Sequence, residues 1–416
     1  MNTLILAIKN IFKNRRRTVI TFLAITSGMT GLIVFGGYME FTFMGLREST
    51  IRTQLGHVQV AKKGYFEKGL ANQGKYLIRE SESVERVLAR MPEVKLVTSR
   101  LTFSGLISTG ERTLSCKGFG INVAEENAGD MNTFETVVDG QQLDESTGPG
   151  DGVVGVELMK ALGAKVGDYL TLLTTTIDGT MNALEFKVVG VAETGSKEYD
   201  SVFVKLPLPF VKRLVNCNAV EKFMVLLNDT DDLGKATKRI NGLLATDLQG
   251  MEYRTWSELA DFYLKVERLY RGIFDIIIFI VGIIVLFSIA NTITMSVFER
   301  TREIGTLRAI GTTRLGTMRL FLTEGVLIGI IGGIIGILVG IMVAYAINFS
   351  GGIYVPPPPG QNRGYLAMVL IVPQVILYAF ASIVGVSGES KMTGAASPSK
   401  AIGSGATVVN ASTLAA

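Results

Sequence analysis

The sequence predicts an integral membrane protein: four transmembrane α-helices, with a large α+β extracytoplasmic domain inserted between helices 1 and 2. Three observations carry that fold class. Four apolar stretches are each long enough to cross a hydrocarbon core of about 30 Å. One long segment between the first two is polar enough to fold in water and long enough to bury its own core. Basic residues gather at alternate ends of the spans. The chain's 416 residues, 48% hydrophobic and 19% charged, average over these unlike parts, as does a mean hydropathy of +0.36. Low charge and positive hydropathy argue against disorder. Two cysteines and one histidine argue against a disulfide scaffold or a classical zinc site.

Residues 1–17 read as a cytoplasmic amphipathic helix. Leu4, Ile5, Ile8, Ile11 and Phe12 recur at helical spacing among Lys9, Lys13, Arg15, Arg16 and Arg17. No acid precedes Glu40, so the positive-inside rule puts the N-terminus in the cytoplasm. The first span, 18–39, is uncharged. A cleavable signal peptide is the rival reading, but the apolar run is too long for one. The second span, 272–298, carries Asp275 near its outer end, and the third, 321–349, carries Glu324 near its inner end. Both acids sit close enough to span ends to face water or headgroups. The fourth span, 365–387, contains Pro373, which transmembrane helices tolerate. Alternation then places 40–271 outside, 299–320 inside and 350–364 outside. The inner segment supports this with Arg300, Arg302, Arg308, Arg314 and Arg319 against Glu299 and Glu303. The outer loop holds four consecutive prolines and Arg363. The tail, 388–416, is rich in Gly, Ala, Ser and Thr and is expected to be disordered.

Within 40–271, strand-like alternation and short helical faces alternate, as in Glu80–Met91, where Val84, Val87, Leu88 and Met91 share one face. The pattern is mixed α+β, with two subdomains whose boundary is not visible. From Trp256 to Tyr270 a helical pattern runs into the second span, which predicts a stiff lever between outer domain and bilayer; residues 40–55 are its counterpart. Ordinary juxtamembrane helices are the plainer alternative. Cys116 and Cys217 lie outside, where an oxidising compartment permits a disulfide; two reduced cysteines are the other reading. His57, the only histidine, reads as a structural hydrogen-bonding residue rather than a lone catalytic base. No G-x-x-x-x-G-K-[ST] loop occurs, so the chain has no recognisable means of hydrolysing ATP. No nucleic-acid partner is expected.

The inner segment, ERTREIGTLRAIGTTRLGTMRLFLTEG, pairs arginines with an apolar stripe of Ile304, Leu307 and Ile310. By composition it is either a docking edge for a cytoplasmic partner or a solvated loop that fixes topology. In sequence it resembles the coupling segment of FtsX/MacB-type ABC transporter permeases. The resemblance rests on Glu299, Arg300, Glu303, Ile304, Gly305, Leu307, Arg308, Ala309, Gly311 and Glu324. The span order, the amphipathic start and the GHVQV stretch beyond the first span are also similar. The tail departs from the family's basic, helical pattern.

The resemblance implies a multi-pass protein of the bacterial inner membrane that is not itself an enzyme. It implies a separate cytoplasmic ABC ATPase subunit holding ATP and Mg, with no cofactor in this chain. It also implies a second permease protomer, identical or related, and a periplasmic cargo, adaptor or lipoprotein. ATP-driven closure in the cytoplasm would pass through the spans to the outer domain, for lipoprotein release or substrate export. Gly329, Gly332, Gly333, Gly336 and Gly340 would give the third span close contacts, sliding or static. The alternative from another class is a membrane sensor or scaffold that binds a ligand outside and signals through the inner loop.

Overall fold

A computed structural model of the chain describes residues 15–69, 73–129, 131, 135–194, 196–311, 313–356 and 364–384. The expected amphipathic helix lies outside the described residues except at its last three positions, and so does the tail. The structure has two compact units, one built on Gly45–Leu264 and the other on the flanking chain.

In the flanking unit, apolar sequence becomes long helices: α1 (Arg15–Ser49), α7 (Asp261–Glu299) and α9 (Arg314–Phe349). The short α8 (Thr301–Ala309) joins α7 to α9. Among the described residues, three helical stretches are long and apolar enough to cross a membrane: Thr18–Leu55, Tyr263–Glu299 and Arg314–Phe349.

The helix of the fourth expected span starts later than the sequence suggests. Residues 365–367 form a short strand, β12 (Tyr365–Ala367), paired with β11 (Ile353–Val355). The helix, α10 (Pro373–Val384), begins only at the proline and is described for 12 residues. Pro373 therefore starts the helix rather than sitting inside it. A proline lacks the N–H that a first-turn residue does not need, and it disfavours helix in the residue before it. The extended backbone is satisfied from elsewhere. The Asn348 side chain accepts from Val369 N–H (2.8 Å) and donates to Val369 C=O (2.9 Å), while Leu370 N–H donates to Gly37 C=O (3.1 Å).

The Gly45–Leu264 unit is α+β. Its strands are β1 (Val58–Lys62), β2 (Val94–Ser108), β3 (Thr113–Ile121), β4 (Thr136–Gly140), β5 (Asp151–Gly155), β6 (Tyr169–Thr175), β7 (Met181–Glu193), β8 (Phe203–Pro207), β9 (Lys222–Leu227) and β10 (Met251–Thr255). They follow the order β10-β1-β9-β2-β3-β8-β5-β7-β4, and β6 pairs with both β2 and β7. The long β2 divides the unit. Its first half, Val94–Arg100, pairs with β9 in an open sheet; its second half, Leu101–Ser108, pairs with β3 and β6. From there β2-β3-β8-β5-β7-β6 closes back on β2 as a ring, which leaves those strands no free edge. Both halves belong to one compact unit and share its main hydrophobic core, so the two expected subdomains do not separate. Phe186, Phe203, Phe210 and Phe223 are fully buried. Among the helices of the unit are α2 (Ser81–Ala89), α3 (Val123–Ala128), α4 (Val156–Leu162), α5 (Leu208–Leu214) and α6 (Leu233–Ala245), with Val84, Leu88, Leu158, Val211 and Ile240 in its main core.

Candidate functional site

The connection between α7 and α9 has the most distinctive geometry. Arg300 leaves the helical conformation (φ −108°, ψ 19°), which ends α7 and turns the chain into α8. Gly311 has φ +102°, a left-handed position suited to glycine. Thr313 then caps α9, its side chain accepting from Gly316 N–H at 3.2 Å.

This geometry divides the residues carried over from sequence. Glu299, Glu303, Gly305, Arg308 and Gly311 are exposed, and Ile304 is half-buried. The side chain of Leu307 lies outside the described residues. Arg300 and Glu324, by contrast, are buried and face each other, Nη1 to Oε2 at 4.0 Å. They form an internal brace from the start of α8 to α9, a role that sequence spacing alone did not reveal. Outside the brace, Ile310, Leu315, Met318 and Leu322 are exposed, Ile310 at 80%. The segment thus presents charged groups beside an apolar edge.

Behind it, α1 packs along the α9 glycines. A Cβ at Gly332, Gly336 or Gly340 would meet Ile25, Met29 or Ile33 respectively. Thr26 and Thr30 hydroxyls donate to the carbonyls of Gly332 (3.4 Å) and Gly336 (3.3 Å). A Cβ at Gly333 would meet Phe380 of α10, and one at Gly329 would lie 3.9 Å from Ile289 of α7. Thr21 and Thr292 hydroxyls meet at 2.6 Å, joining α1 to α7. Close backbone approach with hydroxyl-to-carbonyl bonds is the packing expected in lipid. Asp275 accepts from the Tyr378 hydroxyl at 3.1 Å, so that acid has a protein partner.

In the Gly45–Leu264 unit both cysteines are free thiols, so the disulfide allowed by sequence is not formed. Cys116 is buried on β3, and burial pushes its thiol up to about 12; burial also raises that of Cys217. A raised thiol pKa suppresses the reactive thiolate. His57 is buried, with both ring nitrogens bonded. Nδ1 accepts from Leu227 N–H (3.1 Å), so Nε2 carries the proton and donates to Thr230 Oγ1 (3.0 Å). Burial first, and then Arg52 and Arg47, lower its pKa to about 4. His57 is a neutral structural residue at physiological pH.

Two buried ion pairs escaped the sequence reading. Arg100 binds Glu126 through Nε (2.8 Å) and Nη2 (3.1 Å) and lies 4.5 Å from the centre of the Phe119 ring. Lys205 pairs with Glu135. Their partners are distant in sequence, so no local spacing signals them. Among the described residues no group of three or more His, Cys, Asp or Glu side chains is placed to hold a metal ion.

Comparison with known proteins places the chain in a family. Residues 276–390 match the FtsX-like permease C-terminal model, and residues 18–243 match the MacB-like periplasmic core domain. The lipoprotein-releasing system transmembrane protein LolC of Neisseria meningitidis is 24% identical over 326 residues, covering 75% of this chain and 73% of that protein. The macrolide export ATP-binding/permease protein MacB of Sodalis glossinidius is 26% identical over 337 residues, covering 78% of this chain but 49% of that one. The crystal structure of the periplasmic region of MacB from Actinobacillus actinomycetemcomitans aligns with 50% of this chain and 93% of that one, at 14% identity and a TM-score of 0.36. With the periplasmic core match spanning more than half its length, the chain belongs to the FtsX/MacB-type family of ABC transporter permeases.

Proposed function

We propose that the chain is a permease subunit that carries ATPase-driven motion from the cytoplasm to its periplasmic domain, for lipoprotein release or substrate export. In this reading the N-terminus is cytoplasmic and the Gly45–Leu264 unit sits between spans one and two, in the periplasm. A cytoplasmic ABC ATPase docks on the α7–α9 connection and supplies ATP and Mg. Two permease protomers assemble, and the periplasmic unit engages cargo, an adaptor or a lipoprotein. The carrying observation is the division of the connection: Glu299, Glu303, Arg308 and Ile310 are exposed, while Arg300 and Glu324 brace the segment from within. An exposed edge can receive a partner, and a braced one can hand motion to α9. The excess of arginine on the same segment supports its cytoplasmic placement.

The testing experiment is crosslinking from native membranes with a photoreactive residue at Ile310. Capture of an ABC ATPase supports the reading. Efficient labelling without any ATPase contradicts it.

A further inference from the structure

We propose that the end of α1 and the turn after it, residues 45–57, form a rigid joint to the outer domain, and that His57 and Thr230 are positioning residues for it. This rests on the motion-transmitting reading above and names the place where motion enters the domain. Every contact involved lies within the Gly45–Leu264 unit.

After Ser49 the helix widens into a π-helical turn, Thr50–Leu55. Such turns are rare and recur at functional sites. Gly56, at φ +66°, ends the turn and bonds its N–H to Ile51 C=O at 2.7 Å. Within two residues the chain is in β1, which lies between β9 and β10. No flexible linker intervenes.

The carbonyls at a helix C-terminus lack intrahelical donors. Here buried side chains of the sheet supply them. Arg100, already fixed by Glu126, donates through Nη1 to Thr53 C=O at 3.3 Å, and Gln59 Nε2 donates to Leu55 C=O at 3.0 Å. Ile51 is fully buried with Met131, Met224 and Leu226, against Leu96 and Trp256. Helix end and sheet therefore share one apolar core and one set of hydrogen bonds.

A side-chain relay fixes the rotation of the helix end. His57 Nε2–H donates to Thr230 Oγ1, whose hydroxyl donates to Glu48 Oε1 at 3.3 Å. Glu48 also holds Arg52 (3.3 Å) and Arg47 (3.6 Å). The return path leaves from the same point. His57 C=O accepts from Trp256 N–H at 3.0 Å, and Val58 pairs with Thr255. Trp256 then packs edge-on against Tyr263 in the first turns of α7, with ring centroids 5.5 Å apart. Residue 57 thus ties the chain entering the domain to the chain leaving it. A domain that was only tethered would need none of these contacts.

The test is hydrogen exchange on the full chain in nanodiscs, together with the ABC ATPase that copurifies with it, with and without ADP–vanadate. The variants are Thr230→Val, His57→Ala and Thr230→Ser. In Thr230→Val and His57→Ala, amides 51–57 should exchange about tenfold faster, the factor expected for one lost hydrogen bond. Amides of β5 and β8 should be unchanged, ATPase binding retained, and the nucleotide-dependent change in the outer domain lost. Thr230→Ser, which keeps the hydroxyl, should behave as wild type. A Thr230→Val protein with wild-type exchange and an intact nucleotide response overturns the joint alone. A wild-type complex whose outer domain ignores nucleotide overturns the transmission reading and the joint together.

Discussion

Met29 of α1 lies directly across the bare backbone of Gly336 in α9: a Cβ at Gly336 would fall 2.6 Å from the Met29 Cβ, inside contact distance. The neighbouring Thr30 hydroxyl donates to the Gly336 carbonyl at 3.3 Å. Gly336→Leu should therefore force the helices apart and destabilise the bundle by about 1–3 kcal/mol, as overpacking generally does. Gly31→Ala is the control, because a Cβ there meets nothing within 4 Å. Thermal unfolding in detergent should show a lower midpoint for the first and little change for the second. Equal midpoints would mean that the glycine seam does not set the packing.

The buried imidazole makes an acid-side prediction. The folded pKa of His57, about 4, lies below the usual 6.5 because of burial and the nearby arginines. The unfolded chain therefore takes up that proton first. The contribution is complete above pH 6.5 and is lost as pH falls through 4. A shift of this size corresponds to about 3 kcal/mol. Unfolding midpoints measured from pH 7 to pH 4 should fall less steeply in His57→Gln than in wild type. Parallel curves would contradict the assignment.

Glu125 behaves oppositely. Burial, and then the nearby Glu85 carboxylate, push it up to about 7, well above its usual range. Its contribution is present below pH 4.5 and lost as pH rises through 7. Glu125→Gln, which cannot ionise, should raise the unfolding midpoint at pH 8 and leave it nearly unchanged at pH 4.5. A midpoint at pH 8 no higher than wild type would rule out that strained carboxylate.

The brace separates stability from docking. Glu324→Ala removes a buried carboxylate facing Arg300, and losing a buried polar partner costs about 1–3 kcal/mol. Glu324→Ala should therefore lower the unfolding midpoint markedly. Arg308→Ala, at an exposed position, should leave it within about 0.5 kcal/mol of wild type. Similar losses in both would remove the distinction between brace and edge.

What could be read in advance depended on whether the cause was local. The first three spans are saturated with apolar residues, so composition alone located them. The stretch 365–372 is equally apolar, yet it is not helical, because Asn348 and Gly37 satisfy its backbone from far along the chain. The ring of strands is likewise closed by β6 pairing across to β2, which no alternation within β6 reveals. Among the site residues, the motif singled out the α7–α9 connection, but not which of its residues would be exposed. Arg300 and Glu324 were legible as members of the motif, but their burial was not. The joint at His57 rests on partners such as Thr230, far away in sequence, and on a π-helical turn without a compositional signature.

In the proposed function, motion from an ABC ATPase enters through the exposed face of the α7–α9 connection. The most direct measurement is quantitative copurification of the ATPase with wild type, Glu303→Ala and Arg308→Ala chains, scored beside membrane insertion. Insertion should be normal in all three, with ATPase recovery reduced about tenfold in each variant, as for loss of one charge-assisted contact. Undiminished recovery and undiminished ATPase stimulation in both variants would contradict it.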